Sequence, residues 1–404
     1  MRKIWIINEY AGSPFHGAGT RHYYLGLELA KQGGYATIIS ASYSHLFINP
    51  PRATGVYTSE TIEGVNYIWI KVPYYASAYS WKRVLKSLLF SFRILALSKQ
   101  LKEAPDVIVA SSPELFPIPS VYRLARKFNA KFVFEVRDIW PLSLIVEEGY
   151  SKYHPGIITL QWIEDFAYQK ADVVISLLPN AFEHIRARGC SENKYFYIPN
   201  GISVEEMEKM EPLPEEIKGS IPKSKFVIGY TGTIGFANAL EYLLPSAKLL
   251  KGEGDIHFLI VGKGSEKEKI VAMSKELGLT NVTFLPPIPK RQVQPLLREF
   301  IDVCYMGLRD SPLYQYGISS NKLFDYFYAG KPIIYAVNSS NRPVDEAGAG
   351  ISVPAGNPEA IAEAILKLKA MSPEEREEMG RRGREYVIAN HNWEILAKKF
   401  LKVI

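Results

Sequence analysis

Short apolar runs alternate with longer amphipathic stretches along the chain. A short, continuously apolar run is typical of a strand that is buried on both faces of a parallel sheet. In the first half, the predicted strands are residues 4–8, 36–41, 106–110, 131–136, 172–177 and 195–198, and the predicted helices are residues 20–32, 84–102, 120–128 and 161–170.

The second half repeats this pattern. Its predicted strands are residues 226–230, 257–261, 282–285, 303–306 and 333–337, and its predicted helices are residues 238–250, 266–277, 321–328, 358–369, 373–389 and 393–403. The stretch of residues 210–224 is rich in proline and charge, which favours a linker. We therefore predict an α/β protein with two doubly wound, Rossmann-like domains.

The composition is that of an intracellular globular protein. The 404 residues are 47% hydrophobic and 22% charged, and the two cysteines exclude a disulfide scaffold. No apolar run approaches the roughly 20 residues that span a bilayer, and the run at residues 4–7 is too short for a signal peptide. We expect a cytoplasmic protein that is soluble or peripherally bound to a membrane.

Positive charge is concentrated in the first half. Residues 1–200 hold 22 Lys and Arg against 16 Asp and Glu, and no carboxylate occurs from residue 82 to residue 102. Cations and aromatic residues interleave there at helical spacing, which favours a helix at an anionic membrane surface. The alternative is a core helix with a solvated basic face, and we find no motif for nucleic-acid recognition. The residues assigned to the surface are Trp81, Lys82, Arg83, Lys86, Phe90 and Arg93.

The loop after the first strand carries Gly12, Gly17 and Gly19 directly before a helix. Glycines in this position let backbone N–H groups approach a phosphate at the helix N-terminus. The alternative is a tight turn without a ligand. His16, in the same loop, is a candidate for contact with an acceptor, or else a structural side chain.

The strongest local pattern is YQYGISSNKLFDYFYAGKP, residues 314–332. Ser320 and Asn321 are typical of a helix start, and Lys322 in the first turn opposes the helix dipole unless an anion binds there. A diphosphate meets that need. Asp325, one turn later, is placed to accept hydrogen bonds from sugar hydroxyls; alternatively it forms a surface ion pair with Lys322.

A third pattern, EVRDIWP at residues 135–141, begins in the last two residues of the predicted strand 131–136. Asp138 is a candidate for contact with a transferred sugar or an acceptor hydroxyl, and Arg137 for binding a phosphate or orienting Asp138. The alternative is a structural Arg–Asp pair. The sequence has no D-x-D motif and no Cys–His spacing typical of zinc, so we expect neither a metal nor another cofactor.

These motifs together resemble glycosyltransferase family 4, which has the GT-B fold. Within it, the chain is most similar to the branch of bacterial O-antigen and capsule enzymes that carries S-x-N-K-L-[FY]-[DE]-Y, which includes transferases of N-acetylfucosamine-type sugars. The resemblance extends over the whole chain, through the glycines at 17–19, EVRDIWP at 135–141, IPNGI at 198–202, GYTGTIG at 229–235, VGKG at 261–264 and the block at 314–332.

The resemblance implies two Rossmann-like domains that face a central cleft, with a C-terminal helix that crosses back to the first domain. Residues 1–203, with residues 386–404, would bind the acceptor, and residues 204–385 the nucleotide sugar. It implies a retaining, metal-independent transferase that moves a hexose-type sugar, N-acetylated, from UDP to an undecaprenyl-diphosphate-linked saccharide. Such an enzyme would act at the inner face of the plasma membrane.

The resemblance also implies site residues. Asp138, Arg137 and Lys322 would be catalytic, and Asp325 would hold the ribose hydroxyls. The residues carried over for donor binding are Gly17, Gly19, Thr233, Gly235, Gly262, Lys263, Ile288, Arg309, Ser320, Asn321, Lys322, Leu323 and Asp325.

Two departures from the family pattern affect this interpretation. Gly317 occupies the position of the first of two glutamates, and residues 234–241 lack the usual basic pair, so Lys322 and Arg309 would carry more of the phosphate charge. Two alternatives remain open: an enzyme similar to UDP-N-acetylglucosamine 2-epimerase, and a catalytically silent scaffold that binds nucleotide sugars.

Overall fold

A computed structural model describes residues 2–75, 80–101 and 103–404. The chain forms two compact units. The first consists of Met1–Asn200, Tyr316–Ser319 and Trp393–Ile404, and the second of Gly201–Gln315 and Ser320–Asn392. No helix in the described part of the chain is both long enough and apolar enough to cross a membrane.

The first unit contains an eight-stranded sheet among the described residues. The strand order is β3-β4-β2-β1-β5-β6-β7-β8, and all neighbours are parallel except β3 and β4. The strands are β1 (Lys3–Ile7), β2 (Tyr35–Ala41), β3 (Tyr57–Ile62), β4 (Val65–Ile70), β5 (Val107–Ser111), β6 (Lys131–Val136), β7 (Val173–Ser176) and β8 (Tyr195–Tyr197).

Helices cover both faces of this sheet. Side chains alternate in direction along each strand, so apolar residues project from both faces and the helices pack on them. The helices are α1 (Arg21–Lys31), α2 (Trp81–Leu97), α3 (Ile118–Phe128), α4 (Leu142–Val146), α5 (Pro155–Lys170), α6 (Phe182–Ala187) and α16 (Trp393–Val403), with a 3-10 turn at Glu192–Lys194. Ile4 and Ile6 pack under α1 and α16, whereas Trp5 and Ile7 pack under α2, α3 and α5. The C-terminal helix therefore belongs to the first unit, as predicted.

The second unit contains a six-stranded parallel sheet in the order β11-β10-β9-β12-β13-β14, counted over the described residues. The strands are β9 (Phe226–Thr233), β10 (Ile256–Lys263), β11 (Val282–Leu285), β12 (Val303–Gly307), β13 (Ile333–Ala336) and β14 (Gly350–Val353). Two doubly wound parallel units are the predicted fold class.

The helices of the second unit include the stretch that the sequence assigns to a linker. Leu213 and Ile221 are buried in this unit, so the assignment of residues 210–224 to a linker is wrong. The helices are α7 (Val204–Glu208), α8 (Glu215–Gly219), α9 (Leu243–Leu249), α10 (Lys267–Glu276), α11 (Lys290–Phe300), α12 (Asn321–Ala329), α13 (Pro343–Glu346), α14 (Pro358–Ala370) and α15 (Pro373–His391), with 3-10 turns at Phe236–Asn238, Leu240–Tyr242 and Pro312–Tyr316.

Candidate functional site

The predicted donor residues of the second unit gather at one edge of its sheet. Strands β9 to β12 are parallel neighbours, so their carboxyl ends share that edge. Thr233 and Lys263 are paired residues at the ends of β9 and β10, and Arg309 follows β12. Helix α12 connects β12 to β13, and therefore also begins at this edge.

Lys322 is the chemically most distinctive of these residues. Its Nζ lies 2.7 Å from the Tyr230 hydroxyl and 2.6 Å from Asn238 Oδ1, and both of these partners are uncharged. It also lies 4.1 Å from the centroid of the Tyr230 ring. Burial lowers the pKa of Lys322 to about 7, because desolvation disfavours the ammonium form. An incoming anion would supply the missing counter-charge.

Two glycines allow the ends of β9 and β10 to approach closely. A Cβ on Gly262 would lie 1.9 Å from the Gly232 carbonyl oxygen, and a Cβ on Gly232 would lie 3.0 Å from Lys322 Cε. Only glycine fits where backbones and the lysine stem meet this closely. The glycines therefore leave room for the Lys322 side chain under the sheet edge.

One acidic side chain, Asp325, and one basic side chain, Arg309, form ion pairs that the sequence does not predict. Asp325 forms an ion pair with Lys290, the first residue of α11, instead of with Lys322. Arg309 pairs with Glu241, and its guanidinium lies 4.0 Å from the Phe236 ring centroid. Arg309 is thus paired with a carboxylate in this structure, and its expected share of the phosphate charge stays a prediction.

The start of α12 differs in detail from the prediction. Ser320 is the N-cap residue, but its side chain makes no capping hydrogen bond. The Ser319 hydroxyl instead accepts a hydrogen bond from the Asn200 N–H at 2.9 Å within the first unit. Asn321 is exposed, whereas Leu323 is buried, so the Leu323 side chain is not available to a ligand in this structure.

The remaining donor candidates lie in loops at the same edge. Gly235 precedes the turn that contains Asn238, and Ile288 is half-buried two residues before α11. Gly317 has φ of +86°, a left-handed conformation that favours glycine over a side chain. The local backbone thus accounts for glycine at the position where the family pattern has a glutamate.

In the first unit, the carboxyl end of β6 carries both a buried and an accessible charge. Glu135 is fully buried and binds Arg21 at 2.9 Å, His22 at 2.7 Å and Ser111 at 2.7 Å. These partners hold the pKa of Glu135 well below its usual range against the opposing effect of burial. Arg137 and Asp138 follow the strand and are half-buried and exposed, respectively.

The glycine loop of the first unit is tightly packed on itself. A Cβ on Gly19 would lie 1.8 Å from the Tyr10 carbonyl oxygen, and one on Gly17 would lie 2.7 Å from Ile48. His16 is 1% exposed and lies 2.8 Å from the Ser13 hydroxyl, so it is not presented to an acceptor in this structure. Burial lowers the pKa of His16, which keeps the ring neutral at pH 7.

Helix α2 is oriented differently from the prediction. Lys86 and Phe90 are fully buried, because Lys86 forms a 2.6 Å ion pair with Glu9 and Phe90 packs in the core. Their assignment to a membrane face is therefore wrong. Arg83 pairs with Glu114 at 2.8 Å, and Arg93 donates to the Lys71 carbonyl oxygen.

The opposite side of α2 is apolar and faces solvent. Lys82 is exposed beside it. Trp81 is 71% exposed and Phe92 is 70% exposed, and the stripe between them contains Leu85 and Leu88. We call Trp81, Leu85, Leu88 and Phe92 the α2 stripe. Exposed apolar lines of this length are typical of interaction surfaces.

The sequence did not identify Tyr230, Asn238 or Lys290 as site residues. Tyr230 and Asn238 flank Gly232 and Gly235, and Lys290 follows the predicted donor residue Ile288 by two positions, so their positions offered a weak signal. Among the described residues, no three His, Cys, Asp or Glu side chains are grouped so that they could hold a metal ion.

Two protein-family domains match the chain, one in each half. Residues 16–201 match the glycosyl transferase 4-like domain, and residues 214–386 match the glycosyl transferases group 1 domain. The two matches together cover most of the chain, so the protein belongs to the group 1 glycosyltransferases (family 4).

Individual relatives are distant. The colanic acid glycosyl transferase WcaI of Escherichia coli (strain K12), whose name assigns that role provisionally, is 25% identical over 64% of this chain. The match spans 65% of WcaI, just under two thirds of its length. Sucrose-phosphate synthase from Thermosynechococcus elongatus has a TM-score of 0.74 at 19% identity, covering 100% of this chain and 98% of its own.

The structure of HepE from Anabaena, solved with UDP and glucose, has a TM-score of 0.67 at 10% identity. It covers 100% of this chain and 99% of HepE. At these identities, the solved structures establish the fold alone. The GT-B fold predicted from the sequence is confirmed.

Proposed function

We propose that this protein is a retaining glycosyltransferase that transfers a hexose-type sugar, N-acetylated, from a UDP-sugar to a lipid-diphosphate-linked saccharide in bacterial surface polysaccharide synthesis. The observation that carries the proposal is the environment of Lys322. A partly desolvated ammonium group beside two uncharged partners, at a helix N-terminus, is suited to a diphosphate.

The neighbouring residues support a nucleotide at the same edge. Asp325, one turn after Lys322, would accept hydrogen bonds from the ribose hydroxyls once it leaves Lys290. Lys263 and Ile288 would lie against the nucleoside. Thr233 and Gly235 would approach the phosphates from the loop after β9. HepE, which shares the fold, was solved with UDP.

The chemistry requires little more than charge stabilisation. When the sugar leaves UDP, negative charge develops on the β-phosphate, and Lys322 would stabilise it. In a retaining transfer by internal return, that phosphate also accepts the proton of the acceptor hydroxyl. Asp138 and Arg137, at the carboxyl end of β6, would then orient the acceptor or the sugar.

The acceptor and the location of the enzyme are inferred from the first unit. The exposed α2 stripe would contact the membrane that holds a prenyl-diphosphate acceptor, as a peripheral protein does at an anionic surface. The name of WcaI assigns it to the biosynthesis of a polysaccharide, colanic acid, which supports a saccharide acceptor for this protein as well.

A thermal-shift titration with UDP, GDP, ADP and CMP, with and without EDTA, tests the proposal. A ligand at 100 times its Kd stabilises the folded state by about 2.7 kcal/mol, so we expect a clear shift with UDP that EDTA does not change. A shift with GDP alone would contradict the donor assignment. UDP binding without turnover of any UDP-sugar, in the presence of a prenyl-diphosphate acceptor, would favour a silent scaffold.

We also expect the affinity for UDP to fall as pH rises above 7. Free Lys322 has a pKa of about 7, and a bound diphosphate would raise that pKa, so binding above pH 7 takes up a proton. Between the pKa of free Lys322 and the higher pKa of bound Lys322, the Kd should therefore increase with pH. The slope of that increase approaches about tenfold per pH unit. Isothermal titration at several pH values measures this; a flat profile would contradict it.

A further inference from the structure

A large aromatic side chain faces solvent at the donor edge of the second unit. Phe236 is 61% exposed and begins the 3-10 turn Phe236–Asn238, directly after the loop glycine Gly235. The same turn carries Asn238, whose Oδ1 lies 2.6 Å from Lys322 Nζ. The Phe236 ring therefore belongs to the same turn as a partner of the group that we assign to the diphosphate.

The Phe236 ring is supported on one side by a charged pair. The Arg309 guanidinium lies 4.0 Å from the ring centroid, and Arg309 itself pairs with Glu241. The Arg309 N–H also donates to the Ala237 carbonyl oxygen at 2.9 Å, which joins the loop after β12 to the loop after β9. These contacts hold the ring in place, and its exposed surface is left for a ligand.

The order of the strands gives the proposed donor a direction along the sheet edge. The nucleoside candidates are Lys263, which ends β10, and Ile288, which follows β11. Lys322 contacts β9, and Phe236 and Arg309 follow β9 and β12, respectively. In the order β11-β10-β9-β12, the nucleoside candidates thus lie toward β11 and the supported ring lies toward β12.

This direction brings the transferred sugar to the ring. The sugar of a UDP-sugar is attached to the phosphate that is farther from the nucleoside, so a nucleoside toward β11 places the sugar toward β12. Gly317, where the family pattern has a glutamate, lacks a carboxylate that would accept from sugar hydroxyls. A phenyl ring favours an apolar group instead, because a hydroxyl that faces the ring loses a hydrogen bond to water.

We propose that Phe236 is a specificity-determining residue whose ring contacts a methyl group of the transferred sugar. That methyl group belongs either to an acetamido substituent or to C6 of a deoxy sugar, and both would make the same contact. The inference rests on the proposed function, since it assumes that a UDP-sugar binds at Lys322. It assigns part of the sugar selection to an apolar contact in the loop after β9.

Isothermal titration with UDP, UDP-glucose, UDP-N-acetylglucosamine and UDP-6-deoxyglucose tests the proposal. Relative to UDP-glucose, the third ligand adds the acetamido methyl group and the fourth adds the C6 methyl group, so the preferred ligand identifies the source. We expect the wild type to bind one of them at least about fourfold more tightly than UDP-glucose, the factor for one buried CH₂ group. Phe236→Ala should remove this preference and leave the Kd for UDP within about twofold of wild type.

Leu249→Ala is the matched control. Leu249 is 56% exposed and ends α9, the helix that runs from the donor edge to the opposite edge of the same sheet, so this variant should keep the wild-type preference.

Three results would overturn the assignment of Phe236. They are a wild type without preference among the three sugars, a preference that Phe236→Ala retains, and a loss of affinity in Phe236→Ala that is as large for UDP as for the UDP-sugars. The last result would place the ring against the nucleotide. A wild type that does not bind UDP would remove the proposed function and this inference together, whereas UDP binding with an unchanged preference in Phe236→Ala contradicts this inference alone.

Discussion

Replacement of Lys322 with methionine is expected to weaken UDP binding by about 10- to 100-fold, the range for losing a hydrogen bond to a charged group. Methionine keeps most of the stem that passes Gly232, so the packing under the sheet edge is preserved. The variant should also lose the pH dependence of UDP affinity, because Lys322 is the group that takes up the proton. Isothermal titration at pH 6.5 and 8.5 measures both effects.

Lys331→Met provides a matched control for this experiment. Lys331 follows the same helix, α12, but lies two residues beyond its end, away from the helix N-terminus. It should leave the Kd for UDP within about twofold of wild type, as surface substitutions usually do. If Lys322→Met binds UDP as tightly as Lys331→Met does, the diphosphate does not bind at Lys322, and the donor assignment loses its main support.

The sequence was sufficient to predict that the candidate donor residues of the second unit lie at one edge of its sheet. Each follows a buried strand or begins a crossover helix, and in a parallel sheet such positions meet at the carboxyl edge whatever the loops do. The individual contacts were not predictable. Tyr230 and Asn238 precede Lys322 by more than 80 residues, and only the folded sheet brings them to its ammonium group.

Helix α2 shows a different limit of sequence patterns. It has two apolar lines, one with Phe90 and Ile94 and the other the α2 stripe, and periodicity alone does not say which of them faces the core. The choice depends on the Lys86–Glu9 pair, which joins residues on separate elements. A cation in an amphipathic pattern is normally assigned to solvent, so the prediction placed Lys86 on the wrong side.

The hairpin of β3 and β4 was missed for a local reason. Its two-residue turn is Glu63-Gly64, with φ of +48° and +87°, instead of the Asn-Gly or Asp-Gly pair that marks such turns most clearly. Arg21 and His22 begin α1 on its buried side, together with Leu25 and Leu29. These two polar residues are buried because Glu135 binds both.

Replacement of Arg21 with methionine is expected to destabilise the first unit by about 3–5 kcal/mol, the cost of leaving one member of a buried ion pair uncompensated. Arg21 is 4% exposed and also donates to the Pro199 carbonyl oxygen at 2.6 Å. Urea unfolding followed by tryptophan fluorescence measures this directly, because all six tryptophans lie in the first unit.

The loss of stability should be largest at neutral pH and should decrease as pH falls. In the wild type, Arg21 and His22 hold the pKa of Glu135 low, so its ionised form contributes stability above the usual carboxyl pKa. Without Arg21, burial raises the pKa of Glu135, and lower pH neutralises the unpaired carboxylate or protonates His22 beside it. Both events reduce the difference between variant and wild type.

Two further variants distinguish the destabilisation caused by an unpaired buried charge from the destabilisation caused by lost packing. Glu135→Gln in the Arg21→Met background removes the uncompensated charge, so it should recover part of the stability and abolish the pH dependence. Arg186→Met breaks the exposed Arg186–Glu183 pair in the same unit and should change the urea midpoint little, since surface ion pairs contribute at most about 1 kcal/mol. If Arg21→Met is no more destabilising than Arg186→Met, the Glu135 network does not stabilise the first unit, and the low pKa assigned to Glu135 would also be contradicted.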